Sequence, residues 1–191
     1  MLTLEAARQI MREVLNGDDR SISPSVVPAE PWGHYLVQCE AIDQVLPELA
    51  RHHAAYHAEV NADGPPLDYD YPRLLDIWRA GRAFLVTARA DGAMVASLLV
   101  FVGQRIDTRT AITQDDRFWI DPEHRGGMLA VRVWRFVERV VLALGIREGW
   151  IESRDANGAG RMAEFMGYRR VATKYVKTAA QDACGPERSK P

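Results

Sequence analysis

The sequence predicts an α+β domain in which a mixed, mostly antiparallel central sheet is flanked by helices. Two β-rich runs surround the dipeptide Asp91-Gly92, the strongest short-range signal for a hairpin in the chain. A third run of alternating residues follows at 111–121, and the rest of the chain alternates between helix and strand patterns. This order favours a sheet that begins antiparallel and is covered by helices.

Composition indicates one globular unit without a strong electrostatic field. The chain has 191 residues, and 24 Lys+Arg against 26 Asp+Glu give a formal net charge of -2. This balance does not favour nucleic acid as a partner, although a local basic patch on the arginines of residues 132–139 keeps a nucleic-acid module as a third hypothesis. Cys39 and Cys184 lack CxxC spacing, which fits a reducing cytoplasm. No stretch is long and apolar enough to cross a bilayer, so we expect no membrane partner.

The first part of the chain divides into a leading segment and the start of the domain. Residues 1–33 are expected to form an N-terminal helix, over residues 3–15, and a linker rich in Asp, Ser, Pro and Gly. The elements expected next are a strand at 34–41, a helix at 42–60 despite Pro47, a loop at 61–72 and a short helix at 73–80.

The second part supplies the rest of the sheet. The hairpin covers 83–103, and the strand at 111–121 precedes a helix at 127–144 with an apolar stripe along one side. A strand at 149–154, a short helix closed by Gly167, a strand at 169–177 and a mobile tail at 178–191 are expected to follow. Strict alternation in the strand at 111–121 would place Ile112, Gln114, Asp116, Phe118 and Ile120 on one face, and Thr113, Asp115, Arg117 and Trp119 on the other.

The turn between the strand at 111–121 and the long helix has the features of an anion site. Arg125 stands immediately before Gly126 and Gly127, where the absence of Cβ atoms lets a phosphate approach the main chain. The first N–H groups of the helix have no intrahelical acceptor, and the helix dipole adds positive charge there. A diphosphate-bearing cofactor is therefore one hypothesis. The alternative is that the glycine pair only makes a tight turn.

Three sets of residues resemble the GNAT N-acetyltransferase superfamily over residues 34–177. IDPEHRGGMLA is similar to the acyl-CoA diphosphate loop of that family, and the ADG hairpin followed by MVASLLVFV is similar to its second and third strands. Asn157, followed by a short helix that ends in Met166-Gly167-Tyr168, resembles the asparagine, short helix and closing Gly-aromatic pair of that family. The chain departs from the family pattern at Met128, where the family usually has glycine, and at Ala163, where many members have a tyrosine that acts as a general acid.

The resemblance implies a GNAT-like fold and acyl transfer from acetyl-CoA to an amine in a ternary complex, without a metal. The strands at 111–121 and 149–154 would splay apart to admit the pantetheine arm. Main-chain groups of Phe118, Trp119 and Ile120 would bind the pantetheine and the acetyl carbonyl. The cofactor-binding residues expected in addition are Arg125, Gly126, Gly127, Met128, Leu129, Ala130 and Asn157.

Acyl transfer to an ammonium group also requires a base. The resemblance implies Asp116 and Asp115 as the candidates, since several family members keep an acid at this depth of the strand; alternation lets only one of them face the cleft, and we favour Asp116. The alternative is that both are solvated at a sheet edge, and Glu152 is a weaker candidate. Tyr69 and Tyr71 are expected to line the acceptor pocket, although turn packing would explain them equally well.

Several questions stay open at this point. His53 and His57 are four residues apart without an HExxH pattern, so we expect an exposed polar helix face and no metal. A GNAT-fold binding or assembly module without catalysis is the main alternative to an enzyme. The sequence does not distinguish a small-molecule amine from a protein amine, and it leaves the oligomeric state open, a homodimer included.

Overall fold

A computed structural model describes residues 21–61, 64–153 and 159–173. Its sheet has six strands in the order β1-β2-β3-β4-β5-β6, and all neighbours are antiparallel except β5 and β6, which are parallel. The strands are β1 Glu30–Trp32, β2 Tyr35–Glu40, β3 Ala83–Ala90, β4 Ala93–Gln104, β5 Ala111–Ile120 and β6 Glu148–Trp150. The helices are α1 Ile42–Val60, α2 Tyr71–Arg79, α3 Leu129–Ala143 and α4 Ala159–Phe165, with 3-10 turns at Pro24–Val26 and Pro122–His124.

The α+β class and most of the expected elements are confirmed. The hairpin turns at Asp91 and Gly92, both at positive φ, and α1 continues through Pro47. No helix in the described part of the chain is long and apolar enough to span a membrane.

Two expectations about the ends of the domain need correction. The expected linker contains β1, which pairs with β2 because Gly33, at φ 59, allows a tight turn between them. Residues 169–173 of the expected last strand form no strand. The expected helix at 3–15 and the tail at 178–191 lie outside the described residues.

Apolar side chains form a core on each face of the sheet. On one face, α3 packs Val133, Phe136 and Val140 against the sheet, as its apolar stripe predicts. On the other face, α1 and α2 pack Leu49 and Leu74 against the residues of the hairpin that point the opposite way. The sheet is therefore the middle layer of three, and each face of β5 looks toward a different helix layer.

A β-bulge in β5 decides which side chains reach each layer. Val100 of β4 pairs with Asp115, but Leu98 pairs with Phe118, so Leu99 alone opposes both Asp116 and Arg117. The strict alternation expected for this strand is therefore wrong after Asp116. Phe118 and Ile120 pack in the core on the α3 face, the face toward which Asp115 also points, and not with Asp116.

Pairing between β5 and β6 is short. It covers the three pairs Ile112 with Glu148, Thr113 with Gly149, and Gln114 with Trp150. From Asp115 to Ile120, one edge of β5 therefore has no strand partner among the described residues, while its other edge is paired with β4. This gives the splayed parallel pair that the sequence predicted, with the opening at Asp115.

The contribution of α3 to stability can be tested at Phe136, which is 0% exposed. We expect Phe136→Ala to lower the free energy of unfolding by about 3–5 kcal/mol, because it removes a buried ring and leaves a cavity. Leu142 on the same helix is 68% exposed, so Leu142→Ala should change the free energy of unfolding by less than about 1 kcal/mol. Urea unfolding of both variants measures the difference, and equal losses would contradict this assignment of the core.

Candidate active site

A cavity of about 390 Å³ lies where β5 parts from β6. Its walls come from both helix layers as well as from the sheet, so it passes through the opening between the two strands. The lining residues are Gln114, Asp115, Asp116, Arg117 and Phe118 of β5, Phe101 of β4, Tyr56 and Asn61 at the end of α1, Trp134 of α3, Ile151 and Glu152 after β6, and Ala159 and Met162 of α4.

Asp115 is the most buried acid in this cavity. It is 8% exposed, and its Oδ1 accepts a hydrogen bond of 2.7 Å from the main-chain N–H of Glu152 across the opening. Burial raises the pKa of Asp115 to about 6, and the nearby carboxylates of Glu152 and Asp116 add to the rise. A carboxyl group with such a pKa exchanges protons readily near neutral pH.

Asp116 also lines the cavity, from the opposite face of β5. Both aspartates therefore reach it, and the expectation that only one of them faces the cleft is wrong. The side chain of Asp116 is held by Tyr69, whose hydroxyl donates a hydrogen bond of 3.0 Å to Oδ2. Burial, and then the charge of Asp116, raises the pKa of Tyr69 above its ordinary value, so this tyrosine remains a donor.

Tyr69 and Tyr71 form a layer behind the cavity wall. Neither residue lines the cavity; that place is taken by Tyr56, which the sequence did not suggest. The rings of Tyr69 and Tyr71 pack on each other and on His53, with centroids 4.6–5.8 Å apart. Their position fits turn packing combined with support of Asp116.

His53 does not lie on an exposed helix face, so that expectation is wrong. It is 1% exposed beneath Tyr69 and Tyr71, and burial lowers its pKa to about 3, which keeps the ring neutral. The error arose because the aromatic loop at 64–71 covers this side of α1, which helical spacing alone does not reveal. In residues 21–61, 64–153 and 159–173, no group of three or more metal-ligating side chains was found.

Arg117, like Tyr56, is a cavity residue that sequence reasoning missed. The bulge places its guanidinium on the α1 and α2 side, 4.5 Å from the ring centroid of Tyr69 and 5.9 Å from that of Tyr56. Its Nε lies 4.0 Å from Oδ2 of Asp116, and its buried Nη1 has no hydrogen-bond partner. Strict alternation would have turned this side chain toward α3, and no signal in the sequence marks the bulge.

The loop between β5 and α3 has the geometry of an anion site. Gly126 adopts φ 90, a conformation that favours glycine, and a Cβ added at Gly126 or Gly127 would meet nothing within 4 Å. Met128 is the N-cap of α3 at φ -86, and no side chain caps the helix. Within the described structure, the main-chain N–H groups from Gly126 to Ala130 donate no hydrogen bond. A bound anion would satisfy them.

Arg125 anchors this loop and does not extend from it. Its Nε donates to the carbonyl of Ile120 at 2.8 Å, its guanidinium stacks over Trp119 at 4.5 Å, and it forms an ion pair of 2.9 Å with Glu59 of α1. A second anchor is the ion pair between Arg51 and Asp121. The loop amides, and not the Arg125 side chain, are therefore the groups open to a ligand in this structure.

The other residues that were expected to contact the acyl donor lie along the free edge of β5 and beyond it. Phe118 packs edge-on against Trp134, and the indole N–H of Trp119 donates to Asp121 at 2.8 Å. Leu129 is 2% exposed, so only its main chain is available to a ligand. Asn157 lies outside the described residues.

A second cavity, of about 460 Å³, lies on the α3 side and shares Asp115 and Trp134 with the first. Tyr168 lines it and packs on Trp134, with ring centroids 6.3 Å apart. Burial, and then the carboxylate of Glu138, to which the hydroxyl is hydrogen-bonded, raise the pKa of Tyr168. This tyrosine therefore stays protonated near the opening, whereas Ala163 of α4 offers no proton.

Several solved structures with the same fold are named as acetyltransferases. An aminoglycoside acetyltransferase from an uncultured soil metagenomic sample, solved with trehalose, matches with a TM-score of 0.59 at 11% identity, over 78% of this chain and 97% of that chain. A ribosomal-protein-alanine N-acetyltransferase from Brucella melitensis biovar Abortus 2308 matches with a TM-score of 0.57 at 15% identity, over 75% and 99% of the two chains. A possible acetyltransferase from Clostridium difficile 630 gives a TM-score of 0.57 at 12% identity, over 76% and 97%.

Sequence comparisons give the family. Comparison with curated protein sequences gave no match. The family model for the acetyltransferase (GNAT) family, however, matches residues 46–168, which include most of α1, the hairpin, β5, the glycine loop, α3 and α4. Together with the splayed sheet and the open loop amides, this match shows that the chain belongs to the GNAT acetyltransferase family.

Proposed function

We propose that this protein transfers an acetyl group from acetyl-CoA directly to an amine, with donor and acceptor bound at the same time. The observation that carries the proposal is the buried carboxyl group of Asp115 at the opening between β5 and β6. The free edge of β5 leads from this carboxyl group to the loop whose amides have no partner. One extended donor can therefore occupy both places.

The donor would be held mainly by main-chain groups. The amides from Gly126 to Ala130, together with the dipole of α3, are suited to the diphosphate. The edge of β5 at Phe118, Trp119 and Ile120 is suited to the amide groups of the pantetheine arm, which would extend the sheet in the manner of a strand. Asn157 remains a predicted contact of the donor.

We assign proton transfer to Asp115 and not to Asp116, the residue that we favoured from the sequence. Asp115 is the more buried of the two, and its pKa of about 6 leaves it ionised at neutral pH, ready to take a proton from an ammonium group. Asp116 is already engaged by the hydroxyl of Tyr69 and lies beside Arg117. Its part would be to position the acceptor side of the cavity.

The chemistry then follows from these positions. The acceptor nitrogen loses a proton to Asp115 and attacks the thioester carbonyl carbon. A main-chain N–H on the free edge of β5 stabilises the oxyanion that develops, an effect of about 3 kcal/mol for one donor. The carbon–sulfur bond breaks, and the nitrogen gives up its second proton as the amide forms. The CoA thiolate takes up one proton, from Asp115 or from water, and the other proton passes to water, so that Asp115 returns to its carboxylate form. The side chain of Ala163 takes no part in that last step.

Donor binding can be tested at Gly127, which is open to solvent on its Cβ side and lacks a positive φ. We expect acetyl-CoA and CoA to bind in isothermal titration, and Gly127→Glu to weaken binding by about ten- to a hundredfold, because it adds a carboxylate beside the diphosphate. Gly127→Ala adds only a methyl group in open space and should bind nearly as well as the original protein. The absence of binding by either ligand would refute the proposal.

Proton transfer can be tested by the pH dependence of kcat/KM at Asp115. With an acceptor amine of high pKa, the rate should rise as the pH rises through about 6, where Asp115 ionises, and then level off. For Asp115→Asn we expect a loss of about 10²–10⁴-fold at pH 7 and a rate that keeps rising up to the amine pKa, because only the free amine reacts.

Asp116→Asn is the matched control, since it is the neighbouring aspartate in the same cavity. For Asp116→Asn, the plot of kcat/KM against pH should still change slope near pH 6. If Asp116→Asn lost this change of slope and Asp115→Asn kept it, our assignment of the base would be overturned in favour of Asp116. Donor binding without thiol release on a broad panel of amines would instead support the alternative of a non-catalytic binding module.

A further inference from the structure

We propose that the acceptor is a small amino carboxylate, whose carboxylate Arg117 binds while its amine faces Asp115. The inference rests on the proposed acyl transfer and names the substrate class for it. It comes from Arg117, the one cationic side chain among the described residues that line this cavity; the other lining side chains are acidic, neutral polar or apolar.

The N–H donors of the Arg117 guanidinium find no acceptor among the described residues. Among the described residues, none accepts a hydrogen bond from it: Nη1 is buried without a partner, and Nε is 4.0 Å from Asp116 Oδ2, which is beyond hydrogen-bond length. Buried polar groups without partners are rare in proteins, and such a group next to a cavity calls for an explanation. A ligand with oxygen acceptors would provide the missing partners.

The guanidinium is also held in place before any ligand arrives. It stacks at 4.5 Å on Tyr69, and Tyr69 is itself fixed by its hydrogen bond to Asp116. A planar fork of donors with a fixed orientation matches a carboxylate, which accepts two parallel hydrogen bonds from arginine. Because the side chain is already ordered, little conformational entropy remains to be lost on binding.

The charges in the cavity fit a ligand with an ammonium end and a carboxylate end. The bulge sends Asp115 and Arg117 to opposite faces of β5, yet both line the same cavity, so one ligand can reach both. A second ammonium group placed against Arg117 would be repelled there, although the carboxylates of Asp115, Asp116 and Glu152 would attract ammonium groups elsewhere in the cavity. Discrimination here would follow from repulsion of the wrong charge as well as attraction of the right one.

Size supports a small acceptor. The cavity measures about 390 Å³, near the lower end of small-molecule sites, and it must hold the acyl end of the donor as well. Tyr56 of α1, Asn61 directly after that helix and Ile151 beyond β6 enclose it from different sides. An amino acid of ordinary size satisfies this limit better than a large polycyclic amine does.

The test compares acceptors that differ only in the carboxylate. The common amino acids are assayed with acetyl-CoA, each beside its amino-acid amide and its decarboxylated amine, and thiol release gives kcat/KM. We expect at least one amino acid to exceed both matched compounds by about tenfold or more. Equilibrium titration with CoA present should show the same order of affinities, which gives a readout independent of turnover.

Variants at Arg117 connect this preference to the guanidinium. Arg117→Gln should lower kcat/KM for the preferred amino acid by about ten- to a hundredfold and leave the decarboxylated amine nearly unchanged. Arg117→Lys keeps the positive charge but not the planar fork of donors, so its kcat/KM for the preferred amino acid should lie between those of the original protein and Arg117→Gln. Arg82→Gln changes an exposed arginine outside the cavity and should behave as the original protein does.

The outcomes separate this inference from the proposed function. Turnover of amines or amides equal to that of the amino acids overturns the inference and leaves acetyl transfer intact, as does an unchanged preference in Arg117→Gln. Equal turnover of peptides with blocked C-termini overturns it in favour of a protein acceptor. No turnover with any acceptor overturns both proposals. The comparison of acceptors on the original protein decides the matter even if a variant at Arg117 fails to fold.

Discussion

The geometry of the cavity depends on the β-bulge in β5, where Leu99 of β4 opposes both Asp116 and Arg117. Without the extra residue, strict alternation would turn Arg117 toward α3 and Phe118 toward α1. With the extra residue, the side chains of Asp115 and Phe118 point toward α3, while those of Asp116 and Arg117 point toward α1 and α2. A one-residue irregularity thus separates Asp115, the proposed base, on one side of the strand from Arg117, the proposed carboxylate-binding group, on the other.

The loop between β5 and α3 is tied to the helix that forms part of the acceptor side. Arg125 pairs with Glu59, and Arg51 pairs with Asp121, so the first part of the loop is attached to α1 at two points. These side chains satisfy one another, which leaves the loop amides as the unsatisfied groups. Binding of the proposed donor would therefore require little rearrangement, and α1 connects this loop to the cavity wall at Tyr56.

Sequence patterns predicted the layers of the fold better than the details of the site. The hairpin at Asp91-Gly92, the apolar stripe of α3 and the glycine loop each depend on residues that are close together in the sequence. Each was found in the expected place. The bulge, the burial of His53 and the role of Tyr56 depend on which residues oppose one another across the sheet or beneath a loop. Neither propensity nor spacing encodes those long-range relations, so Arg117 could not be identified as a site residue from its neighbours in sequence.

The most direct test of this account is a crystal structure of the protein with CoA bound. We expect the diphosphate within hydrogen-bond distance of the amides from Gly126 to Ala130, the pantetheine arm along the free edge of β5, and the sulfur atom in the opening beside Asp115. A structure with the diphosphate away from the loop, or with the sulfur on the far side of the sheet from Asp115, would contradict the account.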